Sequence, residues 1–212
     1  MMTASESYAD WFAKTYAIER PVTVQNFPVT SENPQNYSEI NSPKIILYQG
    51  VINPSRGLDK VIPAMLAIEN AELWIAGAGP KKIEYEIITK TLGLENKVKF
   101  LGKLLPKDLR EITKKADCGL SIEENNGLSY YYSMPNKVSD YIQARIPVIV
   151  SDFPEMRKVI DRFKAGEKIS AHSQLAEKIE IVLKNGKPFY EDALNKAATE
   201  LCWENEEPKL LQ

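Results

Sequence analysis

The chain has 212 residues, a length that suits one large domain better than two small ones and buries about 70% of the unfolded surface without help from disulfides. Its 27 lysines and arginines against 29 aspartates and glutamates give a net charge of −2, which excludes the broad attraction of a sequence-independent nucleic-acid binder. No apolar run approaches the roughly 20 residues of a transmembrane segment, and residues 1–14 lack the pattern of a secretory signal, so a cytoplasmic setting is expected.

The first forty residues stand apart from the rest. Ser7 is positioned to cap a short helix carrying Tyr8, Trp11, Phe12 and Tyr16 on one side; Val22-Thr23-Val24 reads as a strand, and the Asn/Pro/Ser-rich stretch from Asn26 to Pro43 as a linker. From Lys44 onward, short β-rich runs alternate with longer segments of helical period. That alternation is the pattern of an α/β fold, a Rossmann-like parallel sheet with helices on both faces.

Lys44–Tyr48 is the first strand of this series, and Leu58, Val61, Ile62, Met65 and Leu66 recur behind it as one helical face. Pro63 is expected early in that helix, where it does little harm. Glu72–Ala76 is the next strand, followed by Gly77-Ala78-Gly79-Pro80 and a helix through Ile83, Ile87 and Leu92. Lys97–Leu101 precedes a helix around Leu109 and Ile112, and Asp117–Ile122 runs into the polar loop Glu123–Gly127. Cys118 is expected to be buried and unpaired; with Cys202 far away and His172 the only histidine, the usual Cys/His zinc sites are out of reach. Helix resumes near Pro135, expected at the first helical position. Pro147–Val150 is a fully apolar strand, and two further helices are expected about Gln174–Leu183 and Phe189–Trp203.

Open parallel sheets bind ligands at the C-terminal ends of their strands, where helix N-termini favour phosphate. Three loops fall there. Gly50–Gly57 delivers Arg56, whose guanidinium can grip a diphosphate through two parallel hydrogen bonds, although a solvated turn arginine is the plainer alternative. Gly77–Lys82 fails the G-x-G-x-x-G fingerprint, because Lys82 stands where the last glycine belongs; it reads as a turn, and no NAD is expected. In the third, Pro135 would free the N–H groups of Asn136, Lys137 and Val138 and Lys137 would add a positive charge. Asp140, one turn further, suits two neighbouring sugar hydroxyls, the plainer alternative being a surface Lys137–Asp140 ion pair.

Five runs then occur in register: Leu47-Tyr48-Gln49-Gly50 with Ser55-Arg56-Gly57-Leu58, Trp74 to Pro80, Val98-Lys99-Phe100-Leu101-Gly102, Met134 to Tyr141, and Pro147 to Ser151. Together they resemble the C-terminal, donor-binding half of GT-B glycosyltransferases of the retaining family 4 (group 1) type, over nearly the whole chain. The resemblance implies that residues 1–40 are the tail of an N-terminal domain with its linker, and that residues 41–212 form a nucleotide-sugar-binding Rossmann-like domain with a C-terminal helix. The acceptor-binding domain would then lie outside this chain, in cis or as a separate chain, with membrane association through it as the alternative to a purely cytoplasmic setting.

The same resemblance implies that Gly50, Arg56, Asn136, Lys137 and Val138 hold the donor diphosphate and that Asp140, in place of the family's glutamate, holds the ribose. Lys103 and Leu104 correspond to the loop at the base edge. The first acidic position of the family's E-x7-E pattern falls on Tyr132, leaving Glu123 or Glu124 as candidates for the donor sugar. No residue of this chain is assigned a catalytic role, and His172 reads as a surface or capping residue. The resemblance implies no cofactor and no metal, and a nucleoside-diphosphate sugar as substrate, its sugar passing to an acceptor hydroxyl with retained configuration. The alternatives are a non-catalytic donor-binding subunit of a split enzyme and a sugar-nucleotide epimerase.

Overall fold

The computed structural model describes residues 1–31 and 42–210; most of the stretch read as a linker therefore lies outside the described residues. The N-terminal segment contributes β1 (Met2–Thr3) and β2 (Val22–Thr23), paired in parallel, with α1 (Glu6–Tyr16) between them. The cap of α1 is Ser5 rather than Ser7: Ser5 has extended backbone and its Oγ accepts the Tyr8 N–H at 3.2 Å. Ser7 instead donates its hydroxyl, at 2.5 Å, and its amide, at 3.0 Å, to Glu155 Oε1. The expected aromatic side is present, with the Phe12 ring stacked between Tyr8 and Tyr16 at 5.8 and 5.9 Å.

The main sheet is built from β3 (Lys44–Gln49), then α2 (Leu58–Ala64), β4 (Ala71–Ala76), α3 (Lys82–Thr91), β5 (Val98–Gly102), α4 (Pro106–Lys115) and β6 (Cys118–Ser121). It continues through α5 (Leu128–Tyr131), α6 (Asn136–Gln143), β7 (Val148–Ser151), α7 (Pro154–Phe163), β8 (Gly166–Ile169), α8 (Leu175–Phe189), α9 (Glu191–Glu200) and α10 (Trp203–Glu206). The six strands are parallel in the order β5-β4-β3-β6-β7-β8, so the chain winds outward from β3, returns, and winds outward the other way. The reversal between β3 and β6 creates the crevice in which such sheets bind ligands. Helices flank the sheet, and the central strands are apolar throughout: Ile46, Leu47, Val148, Ile149 and Val150 are fully buried, as is the unpaired Cys118.

Several local expectations need correction. Pro63 lies at the end of α2, where the Met65 N–H already turns back to Ile62 O at 3.1 Å, and Leu66 falls outside the helix and is exposed. Ile83 and Ile87 face outward; the buried side of α3 is set by Tyr85 and by Thr89, whose hydroxyl is satisfied by Tyr85 O at 2.8 Å. Phe189 closes α8, which kinks at Gly186 (φ 72°) ahead of Pro188, and α9 begins at Glu191. Pro135 is the residue before the first helical position of α6, not the first itself. Neither α7 nor the edge strand β8 is foreseen by the pattern of strands and helices read from the sequence.

The two chain ends clasp each other against this domain. Gln25 N–H donates to Glu206 Oε2 at 2.9 Å, Trp203 N–H to Pro28 O at 2.9 Å, and the Thr30 amide to Glu204 Oε1 at 3.0 Å. Glu155 of α7, almost fully buried, receives Ser7 of the N-terminal helix. Among the described residues, no helix is long and apolar enough to cross a membrane.

Candidate functional site

The site is built where β3 ends. Tyr48, Gln49 and Gly50 leave the strand, and the following loop folds over the end of β4: Gly50 N–H donates to Ala76 O at 3.0 Å and Ile52 N–H to Ala78 O at 2.9 Å. That close crossing explains the glycines of Gly77-Ala78-Gly79-Pro80. A Cβ on Gly77 would stand 1.8 Å from Gly50 O, and one on Gly79 would stand 2.3 Å from Ile52 O. The G-x-G run is thus a backbone crossing, as its turn reading anticipates.

At the far end of the loop, Gly57 (φ 69°) presses against β6's exit, where an added Cβ would meet Ile122 O at 2.5 Å. This contact carries Arg56 to Glu123, the first residue of the polar loop. Arg56 NH1 donates to Glu123 Oε2 at 2.5 Å, and Lys137 Nζ approaches Glu123 Oε1 at 3.0 Å. The Glu123 side chain is 0% exposed and that of Lys137 is 9% exposed. Both cations also lie over aromatic faces, Arg56 5.0 Å from the Tyr130 centroid and Lys137 4.4 Å from that of Tyr48. Arg56 is therefore no solvated turn residue, and Lys137 makes no surface pair with Asp140.

Burial pulls the Lys137 ammonium below the ordinary lysine range, and Glu123 opposes that pull. For Arg56 burial acts in the same direction, but the charge and hydrogen bond of Glu123 outweigh it and the guanidinium ends above its usual value. Lys137 Nζ meets Glu123 Oε1 as a charge-assisted pair at 3.0 Å, and it has no second acceptor among the described residues. With three donors and one carboxylate partner, the ammonium keeps capacity for a second anion.

The start of α6 adds further donors beside it. Asn136 and Lys137 line the cavity from the first turn of α6, where amides lack an intrahelical acceptor, whereas Val138 does not contribute: its N–H is taken by Pro135 O at 2.9 Å and its side chain is fully buried. Gly50 lines the cavity as bare backbone, with its amide already given to Ala76. One turn along α6, Asp140 Oδ2 accepts from Gln49 Nε2 at 3.1 Å, and Thr113 Oγ1 fixes that amide by donating to Gln49 Oε1 at 2.8 Å. Burial raises the Asp140 carboxyl above its usual range, with the Gln49 hydrogen bond acting against it.

These groups surround one cavity of about 660 Å³, within the size of a small-molecule site. Arg56, Asn136, Lys137 and Asp140 share its wall with Tyr48, Tyr130 and Gly50. A neighbouring cavity of about 530 Å³ meets it at Gln49, Leu109 and Asp140 and reaches Arg110 and Thr113. Lys103 and Leu104 line neither, Lys103 being exposed and Leu104 packed against the core.

Of the two glutamates considered for a sugar, Glu123 turns its carboxylate to the two cations and has no exposed side-chain surface, so it is not open to a hydroxyl. Glu124 lines a separate cavity of about 350 Å³ with Ser170 and the exposed His172. Tyr132, at the position of the family's first acidic residue, packs edge-on against Tyr8 at 5.7 Å, and its carbonyl accepts the Ser5 hydroxyl at 2.5 Å. Tyr48, Gln49 and Tyr130 escaped the sequence reading; the signal for Gln49 is a polar residue ending an otherwise apolar strand at the ligand-binding edge.

Residues 29–200 match the family described as Glycosyl transferases group 1. Among curated proteins, the chain is 31% identical over 122 residues to the uncharacterized glycosyltransferase MJ1607 of Methanocaldococcus jannaschii, covering 55% of this chain and 29% of that protein. Among solved structures, Anabaena Alr3699/HepE in complex with UDP superposes with a TM-score of 0.82 at 14% identity, over 99% of this chain and 62% of that one. A S. aureus TarM mutant in complex with fondaparinux, alpha-GlcNAc-glycerol and UDP gives 0.79 at 18% identity, over 99% of this chain and 42% of that one. The chain therefore has the fold of the Rossmann-like domains of GT-B glycosyltransferases and spans less than two thirds of each of these relatives.

Proposed function

This chain belongs to the group 1 glycosyl transferases, and on that premise we propose that its cavity binds the nucleoside diphosphate of a sugar donor. The observation that carries the reading is the convergence of Arg56 and Lys137 on one buried carboxylate, beside the opening turn of α6 and one turn from Asp140. Two cations and one carboxylate leave a single net positive charge, which the helix N-terminus reinforces. A diphosphate, with several anionic oxygens, takes the donors that Lys137 Nζ does not spend on Glu123.

In the reaction, charge gathers on the departing diphosphate as the bond to the sugar's anomeric carbon breaks. Fixed donors that need no reorganisation stabilise it: the Arg56 guanidinium, the Lys137 ammonium and the amides of Asn136 and Lys137. Asp140 accepts from the ribose hydroxyls, and the Gln49 and Thr113 pair keeps its carboxylate turned to the cavity. The acceptor hydroxyl and the group that receives its proton belong to a second domain, in cis or in another chain, and the sugar keeps its anomeric configuration.

A thermal-shift panel of UDP, GDP, ADP and CDP tests this directly, UDP first because two fold neighbours hold it. A ligand at about 100 times its dissociation constant adds roughly 2.7 kcal/mol of stability. At least one member of the panel raises Tm; no shift with any of them at millimolar concentration contradicts the proposal.

A further inference from the structure

Resting on the diphosphate reading above, we infer that Glu123 is a positioning residue of the anion site: its buried carboxylate keeps Lys137 charged and holds Arg56 and Lys137 aimed into one cavity. The carboxylate stands between the two cations at 2.5 and 3.0 Å with a side chain that is 0% exposed. It contacts no solvent, so its work is done through its neighbours. Its backbone is clamped by Ser151 at the end of β7, whose hydroxyl accepts the Glu123 N–H at 2.8 Å and donates to the Glu123 carbonyl at 2.7 Å.

Without a counter-charge, Lys137 would be a desolvated ammonium beside a guanidinium, and the cheapest response of such a group is to release its proton. A neutral amine gives a diphosphate no Coulombic attraction. The ionisable groups facing Lys137 are Glu123 from the loop after β6, Arg56 from the loop before α2, Tyr48 from β3 and Tyr130 from α5, with Asp140 on its own helix. Glu123 and Asp140 are the carboxylates among them, and Asp140 is engaged by Gln49. Glu123 alone of these makes an ion pair with Lys137 among the described residues.

The test compares wild type with Glu123→Gln, which keeps the shape and removes the charge. Lysine is labelled at ¹³Cε, the Lys137 resonance is assigned by its loss in Lys137→Met, and its titration is followed by NMR without ligand. Wild-type Lys137 is protonated at pH 7.5, and the Glu123→Gln midpoint falls by about one to three units. UDP affinity, measured from pH 7.5 to 9, where the terminal phosphate is fully ionised, then drops about tenfold across that range in Glu123→Gln and less than about threefold in wild type.

An unchanged Lys137 midpoint in Glu123→Gln, or a uniform loss of affinity at every pH, overturns the inference, because a purely structural role moves affinity without moving the titration. If Glu123→Gln does not fold, Glu123→Asp, which keeps the charge but draws it back from Lys137 Nζ, decides: a lowered Lys137 midpoint upholds the inference, and an unchanged one, or a Lys137 already neutral at pH 7 in wild type, overturns it. A shifted midpoint together with no UDP binding in wild type upholds the role of Glu123 and refutes the diphosphate reading, so the two failures are distinguishable.

Discussion

Gln49 Nε2 donates to Asp140 Oδ2 across 3.1 Å, joining the last residue of the central strand to the second turn of α6. The contact orients a carboxylate that burial raises above its usual range despite the Gln49 hydrogen bond. The folded chain therefore holds the Asp140 proton more tightly than the unfolded chain does. Below the unfolded value of 3.8 both states are protonated and no penalty exists; above the raised folded value the charged carboxylate destabilises the fold fully.

Asp140→Asn should accordingly raise Tm at pH 7.5, with the gain shrinking to nothing as pH falls below the usual carboxylate range. The same substitution should weaken UDP and uridine alike, about tenfold, because both carry the ribose. Thermal melts across pH and calorimetric titrations check the two halves. A lower Tm at pH 7.5 would mean that the carboxylate stabilises the fold.

Arg56→Ala should separate phosphate from nucleoside. A hydrogen bond to a charged group contributes about 1.5–3 kcal/mol, so UDP should lose roughly 10- to 100-fold in affinity while uridine changes less than about twofold. Equal losses for the two ligands would remove Arg56 from the phosphate site.

Gly77→Ala places a methyl group 1.8 Å from Gly50 O, where backbone meets backbone and neither can yield. The expected outcome is a loss of about 1–3 kcal/mol or more in chemical denaturation, with weaker UDP binding as the loop carrying Arg56 shifts. Wild-type stability in this variant would mean that the two loops do not cross as described.

Glu155→Ala tests the clasp of the N-terminal segment. The truncation removes the partner of the half-buried Ser7 amide and hydroxyl, at about 0.5–1.5 kcal/mol per hydrogen bond, and should expose residues 1–31 to limited proteolysis before the sheet domain is cut. Identical digestion of wild type and variant would show the segment to be held by other contacts.

What could be read from the amino-acid order follows from where each signal is local. β3, β4 and β7 announce themselves as apolar runs because parallel strands bury both faces. β8, Gly166-Glu167-Lys168-Ile169, has a partner on one side only and its composition is correspondingly half polar, which hid it. Arg56, Lys137 and Asp140 were legible because they sit in loops and helix starts at strand ends, where a ligand is expected. The use of Glu123 was not, since its partners come from β3's exit and from α6, and no spacing within the loop encodes that meeting. Val138 was misjudged for a finer reason: the tight first turn that occupies its amide depends on Pro135 lying just outside the helix.

The most direct measurement is a crystal structure of this chain with UDP. The account predicts the diphosphate within hydrogen-bond distance of the Arg56 guanidinium, Lys137 Nζ and the amides of Asn136 and Lys137, with the ribose hydroxyls on Asp140. UDP seated with its phosphates away from Arg56 and Lys137, or an empty cavity at saturating UDP, would contradict it.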